Sequence, residues 1–187
     1  WEWMHREWAR LLGLVFILGF SYFLFKKKFT KEQLIPFVIL FLLGFLQGAI
    51  GWIMVKSGID ADNIYVSHIR LAIHFVMATL LGLYTLWFAI TTYFKDAYVT
   101  NGSSLVKATF ILIVLVLIQL VFGAFIAGLK CANVAATWPS INGDYIPTSI
   151  GNFDFLYDKI NIQFVHRTLA YIILILTIRW FFKARKL

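Results

Sequence analysis

The chain has 187 residues, of which 61% are hydrophobic, 18% aromatic and only 14% charged, against roughly 25% charged in an ordinary soluble domain. With a mean hydropathy of +0.81, this composition excludes both a water-soluble globule and a disordered chain and leaves an integral membrane protein. The net charge of +8, from 17 Lys and Arg against 9 Asp and Glu, invites a nucleic-acid reading until the charges are placed: they sit between apolar runs, and no nucleic-acid partner is expected.

A helix needs ~20 apolar residues to cross a hydrocarbon core of ~30 Å, and five stretches meet or approach that length, at about 8–25, 34–55, 70–94, 105–129 and 160–182. They are too long and too evenly apolar for strands of a membrane barrel. The expected fold is an all-α integral membrane helical bundle.

Charge asymmetry gives the bundle an orientation. The connections after spans one and three and the tail after span five carry Lys26, Lys27, Lys28, Lys31, Lys95, Lys107, Arg179, Lys183, Arg185 and Lys186 against only Glu32 and Asp96. By the positive-inside rule this side is cytoplasmic, or the matrix side of a mitochondrion. On the other side Arg6, Arg10, Lys56, Arg70, Lys130, Lys159 and Arg167 are balanced by Glu2, Glu7, Asp60, Asp62, Asp144, Asp154 and Asp158. The chain opens at Trp1 without a methionine or a signal-peptide pattern, directly in what reads as the outer mouth of a helix. The expectation is that further sequence precedes it, most simply another transmembrane helix.

Ionisable groups inside a bilayer are costly unless paired, ligated or near the interface, so each is a functional suspect. All four histidines, His5, His68, His74 and His166, fall at the outward ends of spans one, three and five. His5-Arg6-x-x-Ala9 and His166-Arg167-x-x-Ala170 form a weak internal repeat, and His74 follows Arg70 by four residues on one helix face. The same pair thus appears three times: an imidazole about one turn inside the membrane and a guanidinium at or above it. Haem accounts for that economically, since its iron takes axial imidazoles from facing helices while its propionates need cations at the water boundary, where the planar fork of arginine suits a carboxylate. Taken singly, each His is as well explained as a helix-end residue and each Arg as a snorkelling one; three matching pairs on one side favour haem. His68, near the polar loop, stays with the structural reading. Glu2, three residues before His5, shares its face and is placed to act on a substrate held there; an acid favoured by the helix dipole is the plainer alternative.

Gly44, Gly48 and Gly51 make a flat strip on span two, and Gly123, Ala124, Ala127 and Gly128 another on span four, both suited to close helix packing. Gln47 is a membrane-embedded amide in need of a partner. The stretch from Lys130 to Asp158 is too long for a simple turn and suggests a lid, with Trp138 within it equally suited to an interfacial anchor. Cys131 stands alone, which excludes an internal disulfide.

These residues resemble the heme A synthase family. The resemblance rests on Glu2-x-x-His5-Arg6-x-x-Ala9-Arg10, Leu46-Gln47-Gly48-x-x-Gly51-Trp52-x-Met54-Val55-Lys56-Ser57-Gly58 and Val66-Ser67-x-x-Arg70-Leu71-Ala72-x-His74. It continues in Gly123-Ala124-x-x-Ala127-Gly128-Leu129, Thr137-Trp138-Pro139-x-x-x-Gly143 and Gln163-Phe164-x-His166-Arg167. The ordered set covers nearly the whole chain.

The resemblance implies an eight-helix enzyme of two four-helix halves that oxidises the C8 methyl of heme O to the formyl of heme A with dioxygen, by successive hydroxylations and loss of water from a gem-diol. It implies a substrate-haem half over 1–100, with its first helix missing, and a cofactor-haem half over 101–187, with its last two helices missing. His5 and His74 match the ligands of the heme O iron, and Glu2 matches a carboxylate required for conversion. His166, beside Arg167, matches one ligand of a heme B cofactor, while Arg6 and Arg70 are the cations beside the first haem. Because iron with two imidazoles has no open position for dioxygen, either one of His5 and His74 leaves during turnover, which is the expectation, or the haem is oxidised by a route that does not bind dioxygen on its own iron. Heme O, the bilayer, heme O synthase and an electron donor are the implied partners, in a bacterial plasma membrane or mitochondrial inner membrane with the haem sites on the periplasmic or intermembrane side. The chain departs from the family in Ala9 for a glycine, Ala136 for an asparagine, and a lone Cys131 where many members have cysteine pairs. Two rivals remain: a membrane cytochrome b that only passes electrons, which has little need of Glu2, and a small transporter, which calls for broken helices or charge at mid-membrane.

Overall fold

The computed structural model describes residues 1–58, 65–94, 103–151 and 153–186. Asp60, Asp62, Lys95 and Asp96, which entered the charge count, lie outside the described residues. Among the described residues five long helices follow in chain order: α1 (Glu2–Phe25), α2 (Lys31–Lys56), α3 (His68–Tyr93), α4 (Ser103–Gly128) and α5 (Lys159–Ala184), with a short 3-10 turn at Thr148–Gly151 between the last two. All five are long and apolar enough to cross a bilayer. At 26 residues a helix such as α2 is about 39 Å long, so it clears the hydrocarbon and projects into the interface at its ends.

α1, α2 and α5 contain their predicted spans, α3 and α4 stop one residue short of theirs, and every helix begins before the predicted start. The largest extension is at α1, which begins at Glu2 where hydropathy points to residue 8. Hydropathy marks the apolar slab, whereas the backbone hydrogen-bond ladder continues through the polar turn above it. Glu2 and His5 therefore lie in the first turns of a helix.

Local chemistry sets the starts. At α2, Thr30 and Gln33 form a reciprocal capping pair: the Thr30 hydroxyl accepts from the Gln33 N–H at 3.3 Å and the Gln33 carbonyl accepts from the Thr30 N–H at 3.2 Å. At α5 the Asp158 carboxylate accepts from the N–H groups of Ile160 and Asn161 at 2.8 and 3.0 Å, satisfying two of the orphan donors of the first turn.

By contacts the chain divides into two units. Residues 1–51 and 78–97 make the first, and rings hold it together. Phe37 lies 4.8 Å from Phe29 and 5.0 Å, edge-on, from Phe88 of α3, while Phe16 and Phe20 stack on one another along α1. Such offset and edge contacts contribute beyond simple area burial.

Residues 52–77 and 98–187 make the second. Its core lies at one end, where Ala72 of α3, Ala124 and Phe125 of α4, Cys131, and Ile162 of α5 are buried together. There α3 and α4 touch closely: a Cβ added at Gly128 would lie 2.6 Å from the His68 Cβ. The glycine strip on α4 thus serves the packing predicted for it. The strip on α2 differs, since an added Cβ at Gly44 or Gly48 meets nothing within 4 Å, so those glycines face open space. At the other end, Trp180 Nε1 donates to Thr109 Oγ1 at 2.9 Å, joining α5 to α4.

Candidate functional site

The predicted site residues fall into three groups. In the first unit, Glu2, His5 and Arg6 are exposed on the opening turns of α1, where a spacing of three puts the carboxylate and the imidazole on one face. Arg10, a turn further on, is tied to Glu7. In the second unit, Arg70 and His74 lie four residues apart on α3, with His74 half-buried and Arg70 exposed. The Arg70 guanidinium donates to the carbonyl of Ile53, in the last turn of α2, at 3.2 Å. The expected His5–His74 pair thus divides between the two units.

The third group is the most fully built. His166 sits two turns into α5, half-buried, and its Nε2 lies 3.2 Å from the side-chain amide nitrogen of Gln119 on α4. Gly123, one turn after Gln119, faces the same ring, and a Cβ there would lie 3.4 Å from His166 Cε1, in ordinary contact. Two polar atoms of the cluster, His166 Nδ1 and Gln119 Oε1, are buried with no hydrogen-bond partner among the described residues. A buried polar atom left unpaired costs about 1–3 kcal/mol. A half-buried imidazole that faces a glycine and a neutral amide, with a guanidinium one residue on, has the chemistry of a haem site, in which an imidazole would hold the iron and a cation a propionate.

Arg167, one residue beyond, turns to the α4–α5 connection. Its guanidinium donates to the carbonyls of Thr137 at 2.8 Å, Ser140 at 3.5 Å, and Ala135. Gln163, a turn earlier, donates to the carbonyls of Cys131 and Ala132 at 2.7 and 2.8 Å, and Asn161 donates to the carbonyl of Ser149 at 2.9 Å. Trp138 Nε1 donates to Tyr171 Oη at 2.6 Å. One helix therefore holds the connection along its length, which gives the predicted lid a firm attachment. Arg167 keeps Nε and part of Nη2 unclaimed among the described residues, so a carboxylate tail remains within its donor capacity.

His68 takes the structural place expected of it. It is buried, its Nε2 lies 3.0 Å from the Leu156 carbonyl, and its ring meets Phe125 and Tyr157 edge-on. Sequence reasoning missed Gln119 and Asn161, and quoted Gln163 in a motif without giving it a role. Gln119 carried a usable signal, since it is the one amide of an otherwise apolar span and stands four residues before Gly123.

A heme A synthase of Flavobacterium psychrophilum is 39% identical over all of this chain and 56% of its own length. One of Flavobacterium johnsoniae is 35% identical with the same coverage, and one of Wolbachia pipientis subsp. Culex pipiens is 36% identical over 94% of this chain and 55% of its own. The chain thus spans about half the length of the curated relatives it matches. No solved structure matches it. The family model described as cytochrome oxidase assembly protein, COX15-CtaA, aligns with residues 1–187, and on that full-length match the chain belongs to this family.

Proposed function

We propose that this chain is the part of a heme A synthase that binds heme O and oxidises its C8 methyl to a formyl group, supplying cytochrome oxidase assembly. The observation that carries the reading is the ordered match over residues 1–187, within which relatives named heme A synthase are 35–39% identical.

His5 and His74 are the ligands of the heme O iron, and one of them leaves during turnover. Arg6 and Arg70 hold the propionates: a guanidinium whose present partner is a carbonyl, as for Arg70 and Ile53, gains a stronger bond on meeting a carboxylate. Glu2 shares the His5 face and is placed to move protons at the reacting methyl carbon or to bind a hydroxylated product. His166, with Arg167 beside it, holds heme B, which supplies one-electron chemistry when bound. The substrate-haem half is residues 1–100 and the cofactor-haem half residues 101–187. The basic connections mark the cytoplasmic or matrix face, which puts both haem sites towards the periplasm or intermembrane space. Heme O synthase and an electron donor are the expected partners.

The test is pyridine haemochrome analysis of aerobic membranes containing the full-length protein and a supply of heme O. A formyl-shifted band is expected; heme B alone would instead mark a cytochrome b that only passes electrons. His74→Ala should lose heme A formation while the protein accumulates normally, and unchanged product would remove His74 from the ligand set.

A further inference from the structure

The α4–α5 connection does not stay at the mouth of the bundle. Lys159 and Arg179 bracket the apolar part of α5 and stand about 30 Å apart along its axis, the thickness of a hydrocarbon core. Hydrogen bonds to α5 read the depth of the connection against that scale. Gln163 holds the carbonyls of Cys131 and Ala132, Arg167 those of Ala135, Thr137 and Ser140, and Tyr171 Oη accepts from Trp138. Asn161, near the start of α5, holds the carbonyl of Ser149. The chain therefore leaves α4 at one edge of the slab, descends beside α5 as far as Trp138, and climbs back. Allowing for the lean of a helical side chain towards its N-terminal end, Trp138 lies about 10 Å below the level of Lys159.

We propose that residues 131–142 are a re-entrant arm embedded in the leaflet at which α5 begins, with Trp138 packed against phospholipid acyl chains, a placement independent of the haem reading. Irregular backbone persists at this depth only where its polar groups are satisfied within the protein. Besides the carbonyls held by α5, the Asn142 side chain donates to the Val134 carbonyl at 3.0 Å. The Thr137 hydroxyl accepts from the Asn142 N–H at 2.6 Å and donates to the Ser140 carbonyl at 2.9 Å. No charged residue lies between Lys130 and Asp144, so the arm carries no charge into the slab. Cys131, Ala135 and Ile141 turn inward and are buried, whereas Trp138 is 74% exposed. Its partner Tyr171 heads a row of exposed side chains on one face of α5, continued by Leu174, Ile175 and Ile178. An apolar row on a spanning helix meets lipid, and Trp138 extends that surface. With its N–H satisfied by Tyr171, the indole presents only its apolar body, which acyl chains accommodate and water does not.

The experiment uses the full-length protein in phosphatidylcholine vesicles, spin-labelled at Ala136→Cys, an exposed position that leaves Trp138 in place. Unsubstituted protein carried through the same labelling gives the background of native cysteines. Collisions of the label with oxygen, which concentrates among acyl chains, are compared with collisions with a water-soluble nickel chelate. Leu174→Cys, in the exposed row of α5, and Lys186→Cys, beyond its far end, calibrate lipid and water. Ala136→Cys should prefer oxygen as strongly as Leu174→Cys does. A preference like that of Lys186→Cys would put the arm in water and overturn the proposal. Shielding from both reagents would mean that protein covers the arm, and would overturn it equally. A second measurement reads Trp138 itself. Phospholipid brominated in its acyl chains should quench the tryptophan emission of the wild type, and Trp138→Phe should lose one component of that quenching. An equal drop in emission from the two proteins would remove Trp138 from the acyl chains.

Discussion

His68 Nε2 lies 3.0 Å from the carbonyl oxygen of Leu156, joining the first residue of α3 to the chain just before α5. Removing the ring leaves that carbonyl without its partner and opens a gap between Phe125 and Tyr157, both of which meet the imidazole edge-on. His68→Ala should therefore cost about 2 kcal/mol, the scale of a lost buried hydrogen bond, seen as a lower thermal midpoint of the full-length protein in detergent. The low-spin haem signal per folded molecule should be unchanged, and its loss at full stability would make His68 a ligand rather than a packing residue.

Glycine substitutions should separate the two small-residue strips. At Gly128 a new Cβ would stand 2.7 Å from the His68 Cα, so α3 and α4 would have to move apart. Overpacking of this kind costs about 1–3 kcal/mol, and Gly128→Ala should lower the thermal midpoint accordingly. Gly44→Ala, where nothing lies within 4 Å, should be neutral or slightly stabilising through helix propensity. Equal losses at the two positions would contradict the packing described.

Arg167 serves three carbonyls of the α4–α5 connection, and only a planar fork reaches several acceptors at fixed angles. Arg167→Lys should keep the charge but release the connection. Faster hydrogen exchange is expected at residues 135–142, about tenfold or more if one such bond governs local opening. Exchange as slow as in the wild type would show that the Gln163 and Asn161 bonds suffice alone.

Burial raises the pKa of the Cys131 thiol, with Lys159 opposing the shift in part, and the side chain is fully enclosed. Because the raised value belongs to the folded state, the folded protein holds its proton over a window in which the unfolded chain has lost it. Stability from this group is thus fully present below the ordinary thiol range, about 8.5, and is lost as pH rises above it. Maleimide labelling at pH 7 should be slower than a tenth, roughly, of the rate in denatured protein; rapid labelling would mean that the α4–α5 connection opens readily.

The helices were the legible part of this chain, for a physical reason: twenty apolar residues in succession have few fates other than spanning a bilayer. Their ends were less so, because α1 runs six residues above its apolar stretch through Glu2, His5 and Arg6. His166 and Arg167 stood out as polar residues in a costly place, but sequence offers no view of what faces them across helices. Gln119 therefore read as part of an apolar span, and Arg167 as a cation awaiting a propionate rather than one gripping Ala135 and Thr137. The stretch 130–158 has no period to read, and its path depends on donors contributed by α5.

Those donors act on main-chain oxygens. Asn161, Gln163 and Arg167 recognise carbonyls of Ser149, Cys131, Ala132, Ala135, Thr137 and Ser140, and a carbonyl is the same whatever residue bears it. At those bonds the identity requirement falls on the transmembrane segment: a side chain with no other task, as at exposed Ala132, can be exchanged while the route is preserved, whereas Trp138, which donates to Tyr171, and the enclosed Cys131 are constrained on their own account.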